Sequence, residues 1–235
     1  MKRSILTILA GICIATLLHA QQKPAVPLKE FTSDFDTRNC SFQPFGQNRF
    51  FILQVGYRLV LKGMEGKDTM MLVVTVTDSM KLISDRNTRV VEERETRNGK
   101  LTEISRNYFA FCRESGSVYC YGEDVDNYRD GKVVNHKGSW LAEADFLPGI
   151  AMPGIVLLGS RYYEEMAAGV AMDRAEVVSL NESLKTPAGT FPGCLKVEET
   201  SALDPKEKEY KYYAPGIGLI KDENMLLVSF GFVKQ

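Results

Sequence analysis

Histidine is almost absent from this chain, which has two histidines, His19 and His136, among 235 residues. If His19 belongs to a cleaved leader, one histidine remains, and zinc sites built on several imidazoles are excluded. An excess of one charge is also missing, since the formal net charge is −1. Nucleic-acid binding needs a basic stripe, and we find none, so we expect no nucleic-acid partner.

Long apolar runs are missing beyond residue 20. The first twenty residues, MKRSILTILAGICIATLLHA, place Lys2 and Arg3 before an uncharged apolar stretch and predict a secretory signal peptide cleaved before Gln21. Lipidation at Cys13 is disfavoured because the bulky Ile12 precedes it. No later stretch reaches the ~18–20 apolar residues that span a bilayer. We expect an exported protein, periplasmic or extracellular, with no transmembrane segment after signal cleavage.

Closely spaced cysteine pairs are missing too, and without a C-x-x-C motif neither a redox site nor a zinc ribbon is expected. Four cysteines follow the leader: Cys40, Cys112, Cys120 and Cys194. Export permits disulfides. One hypothesis bridges Cys112 and Cys120 across the turn ESGS, the alternative leaves both as buried thiols, and a Cys40–Cys194 bridge also remains open.

The chain does contain the sequence pattern that is typical of β-strands. Residues 21–49 are rich in proline and polar residues and predict a lead-in segment. From residue 50 onward apolar residues alternate with period two, which indicates strands with one buried face. The turns EGKD (65–68), RNGK (97–100), ESGS (114–117) and RDGK (129–132) separate these runs, so a meander is expected up to about residue 136. Further strands are predicted beyond residue 160.

These patterns predict one all-β domain over residues 50–235 with little helix. About 9–11 mostly antiparallel strands would form a curved sheet or a half-open barrel or sandwich.

Several stretches resemble a family of uncharacterised secreted bacterial proteins. They are GYRLVLKG (56–63), YCYGEDVDNYRDGKVVNHKGSW (119–140), MPGIVLLGSRYYEE (152–165), TPAGTFPGCLKVEET (186–200) and EYKYYAPGIGLI (209–220). The resemblance implies export and a β fold but no activity. The last two stretches are also similar to the closing strands of lipoprotein-carrier-like half-barrels, which would imply an apolar groove for a lipid or lipopeptide.

The stretch YGEDVDNYRDG (121–131) is the strongest candidate for chemistry. It lacks the third ligand and the turn glycine of an EF-hand loop. Glu123, Asp124 and Asp126 could still hold a cation or act as the acid and base of a hydrolase. Period two places Asp124 and Asp126 on one face and Glu123 on the other. The alternative is a solvated hairpin end.

Other carboxylates lie beside arginine or lysine, and for these we expect cross-strand ion pairs. They are Glu92, Glu93, Glu95, Glu198 and Glu199.

Aromatic residues are abundant, at 12 Phe, 10 Tyr and one Trp. Most should be core, and some could line a concave ligand site. The candidates are Tyr119, Tyr121, Tyr162, Tyr210, Tyr212 and Trp140.

We therefore expect a non-enzymatic protein, without cofactor, that binds an apolar ligand, glycan or envelope component. The alternatives are the carboxylate hydrolase or cation-binding protein and a structural module of the cell envelope.

Overall fold

A computed structural model describes residues 29–233, so the predicted signal peptide and the start of the lead-in segment lie outside the described residues. The described part is all β, as expected, and contains no helix. It accordingly offers no helix long and apolar enough to cross a membrane.

The strands run in chain order as β1 (Phe42–Gln43), β2 (Gly46–Gln47), β3 (Ile52–Leu53), β4 (Tyr57–Glu65), β5 (Asp68–Ile83), β6 (Arg86–Arg97), β7 (Lys100–Cys112), β8 (Val118–Arg129), β9 (Lys132–Asn135), β10 (Trp140–Leu141), β11 (Leu147–Met152), β12 (Arg161–Tyr163), β13 (Glu165–Met166), β14 (Asp173–Thr186), β15 (Gly189–Ser201), β16 (Glu209–Ala214), β17 (Gly218–Asp222) and β18 (Met225–Phe232). The large sheet follows the order β12-β14-β15-β16-β17-β18-β4-β5-β6-β7-β8-β11-β13, and β2 and β3 form a separate small sheet. The 18 strands exceed the expected number because many are only two or three residues long.

The meander from β4 to β9 confirms the predicted turns. Residues 66–67, 98–99, 113–117 and 130–131 connect consecutive strands. Asn98 and Asp130, with the glycines that follow them, have positive φ values between 51° and 77°. This conformation gives a two-residue hairpin its twist, and Asn-Gly and Asp-Gly adopt it most readily.

The segment 161–166 nearly closes the sheet into a barrel. Its first part, β12, pairs with β14, and its second part, β13, pairs with β11 at the opposite edge of the sheet. Glu164 lies between the two strands, where its amide donates a hydrogen bond to the carbonyl of Asp173. Gly149 on β11 permits this approach, because a Cβ there would lie 2.2 Å from the carbonyl oxygen of Glu164.

The lead-in segment covers the outer face of β7 and β8. Phe42 on β1 packs edge-on against Tyr119 and Tyr121, with ring centroids 5.3 and 5.8 Å apart. Phe35 adds a third edge-on contact, also to Tyr119. The segment therefore contributes to the core and does not merely precede it.

The predicted Cys112–Cys120 bridge is wrong, because the disulfide joins Cys40 to Cys112. Strand register explains the difference: Cys120 lies opposite Phe109, whereas Cys112 pairs with Phe42 on β1. Cys120 and Cys194 are buried free thiols. The bridge therefore fastens the lead-in segment to the outside of the barrel.

Candidate functional site

The barrel encloses a cavity of about 320 Å³. One part of its wall is apolar and comes from the inner faces of β4 and β5 and from the chain just before them. The residues of this apolar wall are Phe50, Phe51, Ile52, Tyr57, Leu59, Val74 and Val76. Phe109, Ile217 and Leu219 add further apolar surface.

The other part of the wall is acidic. It is formed by β6, β7 and β8, by residues 164–165 of the closing segment 161–166, and by β14 to β17. Its eight carboxyl groups, called here the acidic wall, are Glu93, Glu103, Glu123, Glu164, Glu165, Asp173, Glu199 and Asp222. Lys211 is the one basic residue lining the cavity within the described part of the chain.

Strand alternation explains how so many carboxyl groups face inward. Glu93 follows Val91 at period two on β6, and both line the cavity. On β7 the same period directs Glu103, Ser105 and Asn107 inward. The acids therefore occupy positions where a filled barrel would carry aliphatic side chains.

Burial changes the protonation of the acidic wall. It raises the pKa of Glu93, Glu165 and Glu199 to about 7 and that of Glu123 to about 9. The carboxyl groups repel one another as well, since Glu165 raises the pKa of Glu123 further. A buried carboxyl group without sufficient compensation prefers its neutral form. At neutral pH the acidic wall therefore holds bound protons.

Lys211 compensates part of this charge. Its Nζ lies 2.7 Å from an Oε of Glu199 and 3.7 Å from one of Glu209. Burial alone would lower the pKa of Lys211, but Glu199 and Asp222 raise it well above its ordinary value. The lysine is therefore charged, and one cation faces eight acids.

Tyr162 adds an unsatisfied polar group beside the acidic wall. Its neighbours face outward, where Arg161 binds Glu176 and Tyr163 packs against Phe31. Tyr162 therefore points into the barrel, where it is 4% exposed, and its hydroxyl has no hydrogen-bond partner among the described residues. Burial, together with the charges of Glu164 and Glu199, raises its pKa.

The three predicted cation ligands do not converge. Glu123 lines the cavity, whereas Asp124 and Asp126 lie together on the outer face, as the period predicted. Asp124 accepts hydrogen bonds from Lys81 and Tyr108, which lower its pKa although burial opposes them. Asp126 pairs with Arg106 and His136. Across residues 29–233 no cluster of three or more His, Cys, Asp or Glu side chains could hold a metal ion.

None of the six aromatic candidates lines the cavity. Tyr119 and Tyr121 lie under the lead-in segment, and Tyr210 and Tyr212 lie on the outer face of β16 beside lysines. Trp140 lies behind the cavity wall, where its indole N–H donates a hydrogen bond to Oε1 of Glu165 at 3.4 Å. Strand alternation is the reason: it turns Lys211 and Tyr213 inward and their neighbours outward. The aromatic lining is instead Phe50, Phe51, Tyr57, Phe109 and Tyr213.

The expected ion pairs form for only some of the carboxylates. Glu92 reaches Arg94 and Arg106 at 3.7 and 3.9 Å, and Glu198 binds Lys208 and Lys29 at 2.7 and 3.3 Å, all on the outer face. Glu93 and Glu95 have no ion-pair partner in the described residues, and Glu199 turns inward to Lys211. The period-two pattern of the strands was the sequence signal from which the inward direction of these acids could have been predicted.

Comparisons with protein-family models, with curated proteins and with solved structures give no match to this chain.

Proposed function

We propose that this protein binds a small molecule inside its barrel. The observation that carries the proposal is the cavity of about 320 Å³ with an apolar wall on one side and an acidic wall on the other. Ligand sites are commonly concave, largely apolar and ~300–1,000 Å³ in volume.

The apolar wall supports the ligand's hydrocarbon part. Phe51, Tyr57 and Val74 offer aromatic and aliphatic surface to the lumen. Burying apolar ligand surface there contributes about 25 cal/mol per Å² before the costs of association. The proposal keeps the protein non-enzymatic and exported; the leader pattern and the disulfide between Cys40 and Cys112 support export.

A direct test titrates the purified protein with N-phenyl-1-naphthylamine, a neutral apolar dye whose fluorescence rises in apolar surroundings. We expect saturable binding at one site. Val74→Trp fills the apolar wall and should weaken binding at least about tenfold, which corresponds to about 1.4 kcal/mol.

The matched control is Val73→Trp, one position away on the outer face of β5. It should bind the dye as the wild type does. Equal binding by both variants, or no saturable binding by the wild type, would contradict the proposal.

A second candidate function is acid catalysis by Glu123. The observation that favours it is a carboxyl group in a cavity with a pKa near 9, beside Glu165 with a pKa near 7. Two acids with separated pKa values are the usual arrangement of glycoside hydrolases. Hydrolysis of 4-nitrophenyl glycosides that is lost in Glu123→Gln would support it. The version with Asp124 and Asp126 loses its support, because both carboxylates are paired on the outer face.

A further inference from the structure

The two walls of the cavity indicate which class of ligand it takes, an inference that rests on the function proposed above. We infer that the ligand is an organic cation, with an ammonium group against the acidic wall and a hydrocarbon body against the apolar wall.

Charge is the first argument. Eight carboxyl groups and one lysine line the cavity, and that lysine is already paired with Glu199. Glu93, Glu103 and Glu123 line the same lumen without an ion-pair partner among residues 29–233. An ammonium group brought among such acids gains hydrogen bonds to ionised oxygens, which are the strong kind. An anionic ligand would meet repulsion instead.

Tyr162 is the second, independent argument. Its hydroxyl is enclosed and unsatisfied, and it is electrostatically coupled to Glu164, Glu199 and Tyr213, which line the cavity. Leaving a buried hydroxyl unpaired costs about 1–3 kcal/mol. Tyr162 lies directly behind the lining residues Glu164 and Glu199, so its unpaired hydroxyl marks this end of the cavity as the place where polar groups lack partners among the described residues, and an ammonium group there would bind the lining carboxylates.

The arrangement of the acids favours an organic cation over a metal ion. A calcium site needs six to eight oxygens converging at ~2.3–2.6 Å. In the described chain no three acidic, cysteine or histidine side chains converge in that way. The carboxyl groups are instead spread along several strands, opposite apolar side chains, which fits an extended amphipathic cation.

Binding should release protons, because the cation replaces protons held by the wall. The groups that face one another and share this charge are Tyr162, Tyr213, Lys211, Glu93, Glu95, Glu103, Glu123, Glu164, Glu165, Asp173, Glu199, Glu209 and Asp222. A carboxyl group that gains an ammonium neighbour loses its proton to solvent. Affinity should therefore rise with pH until the ligand's own amine deprotonates.

The test compares three ligands of one shape by titration calorimetry: 1-naphthylmethylamine, 1-naphthalenemethanol and 1-naphthoate. We expect the amine to bind at least about tenfold more tightly than the alcohol, and the naphthoate to bind most weakly. Repeating the amine titration in phosphate and in Tris should give different heats, which report proton release. A parallel titration with CaCl₂ should show no binding.

Glu93→Gln and Glu92→Gln form the matched pair, since adjacent residues on β6 face inward and outward. Glu93→Gln should lower amine affinity about threefold to tenfold and leave alcohol affinity unchanged, whereas Glu92→Gln should change neither. Equal affinity for amine and alcohol would overturn the cation inference while leaving the ligand-binding function intact. Failure of all three ligands and of the neutral dye would overturn both, and tight calcium binding without amine binding would replace the organic cation by a metal.

Discussion

Neighbouring carboxylates on one strand have opposite environments in this protein. On β15, Glu198 faces outward to Lys208, Lys29 and Tyr210, and its pKa is lowered although burial opposes this. Glu199, the next residue, faces the cavity, where burial raises its pKa to about 7. The same inversion separates Asp124, with a lowered pKa, from Glu123, with a pKa near 9.

The contrast shows that chemical type and sequence neighbourhood do not determine what a carboxyl group does here. On the outer face, flexible cations reach the carboxylates and water screens them, so charge is easily accommodated. On the inner face the wall supplies eight acids and one lysine. On the inner face burial therefore raises the pKa values of the acids, and strongly shifted pKa values in a cavity are more frequent at functional sites than elsewhere.

The largest expected effect concerns the outer layer that covers the barrel. Cys40→Ala removes a bridge that spans 72 residues and should lower the free energy of unfolding by about 4 kcal/mol. Cys120 is a buried free thiol that lines the cavity, so Cys120→Ala breaks no bridge and should cost about 1 kcal/mol. Urea denaturation measures both. Equal losses would show that the bridge does not hold the lead-in segment.

The next prediction compares the loss of Lys211, which lines the cavity, with the loss of Lys208, which lies on the outer face. Lys211→Met leaves Glu199 and Asp222 without their cation and should cost about 3 kcal/mol at alkaline pH. The loss should shrink in mild acid, because these carboxyl groups then take up protons. Lys208→Met, which removes an exposed partner of Glu198, should leave stability within experimental error. Thermal unfolding at two pH values tests the pair.

The carboxyl groups of the inner face should determine how the free energy of unfolding depends on pH. Glu93, Glu165 and Glu199 have folded-state pKa values near 7, above the unfolded value of ~4.3, so the folded state binds more protons between these values. Their contribution is complete below the unfolded pKa and is lost as pH rises through 7. Stability should therefore fall between about pH 4 and pH 8, as urea denaturation across this range would show.

Glu93→Gln should flatten that fall by about 1–2 kcal/mol, because one pKa unit corresponds to about 1.4 kcal/mol and screening reduces part of the shift. Glu92→Gln should keep the wild-type slope. A steeper fall in Glu93→Gln, or a rise of wild-type stability over the same range, would disprove the assignment of protonated acids to the cavity.

The smallest effect is expected for the acid that the sequence favoured as a cation ligand. Asp124→Asn loses a pairing with Lys81 in which the aspartate side chain is 47% exposed, so it should cost less than about 1 kcal/mol. Amine binding should remain at the wild-type level, in contrast to Glu123→Gln. Reduced amine affinity in Asp124→Asn would show that the outer face contributes to the site.

Local signals predicted the fold well and the site poorly. Asn98-Gly99 and Asp130-Gly131 predicted their hairpins because a tight turn requires a backbone conformation that few residues adopt. The period-two rule also separated Glu123 from Asp124 correctly. It could not say which face was concave, so Asp124 and Asp126 were favoured as ligands while Glu93 and Glu199 were expected to form surface ion pairs.

The disulfide and the closure of the barrel show the same limit. Cys112 and Cys120 flank one turn, but the register that begins with Phe111 opposite Val118 places Cys120 opposite Phe109 and leaves Cys112 to β1. Strand pairing across long chain separations set both outcomes. The residues near either cysteine contain no pattern from which that strand pairing could be predicted.

The amino-acid sequence by itself determined an all-β chain, its hairpin turns and the two faces of each strand, because these depend on backbone conformation and period. The tertiary structure decided which face became the interior and which distant acids met there. Glu93, Glu123, Glu164 and Glu199 come from separate segments, and only the nearly closed sheet places them around one cavity. Their raised pKa values follow from that enclosure, since each carboxyl group taken alone is ordinary.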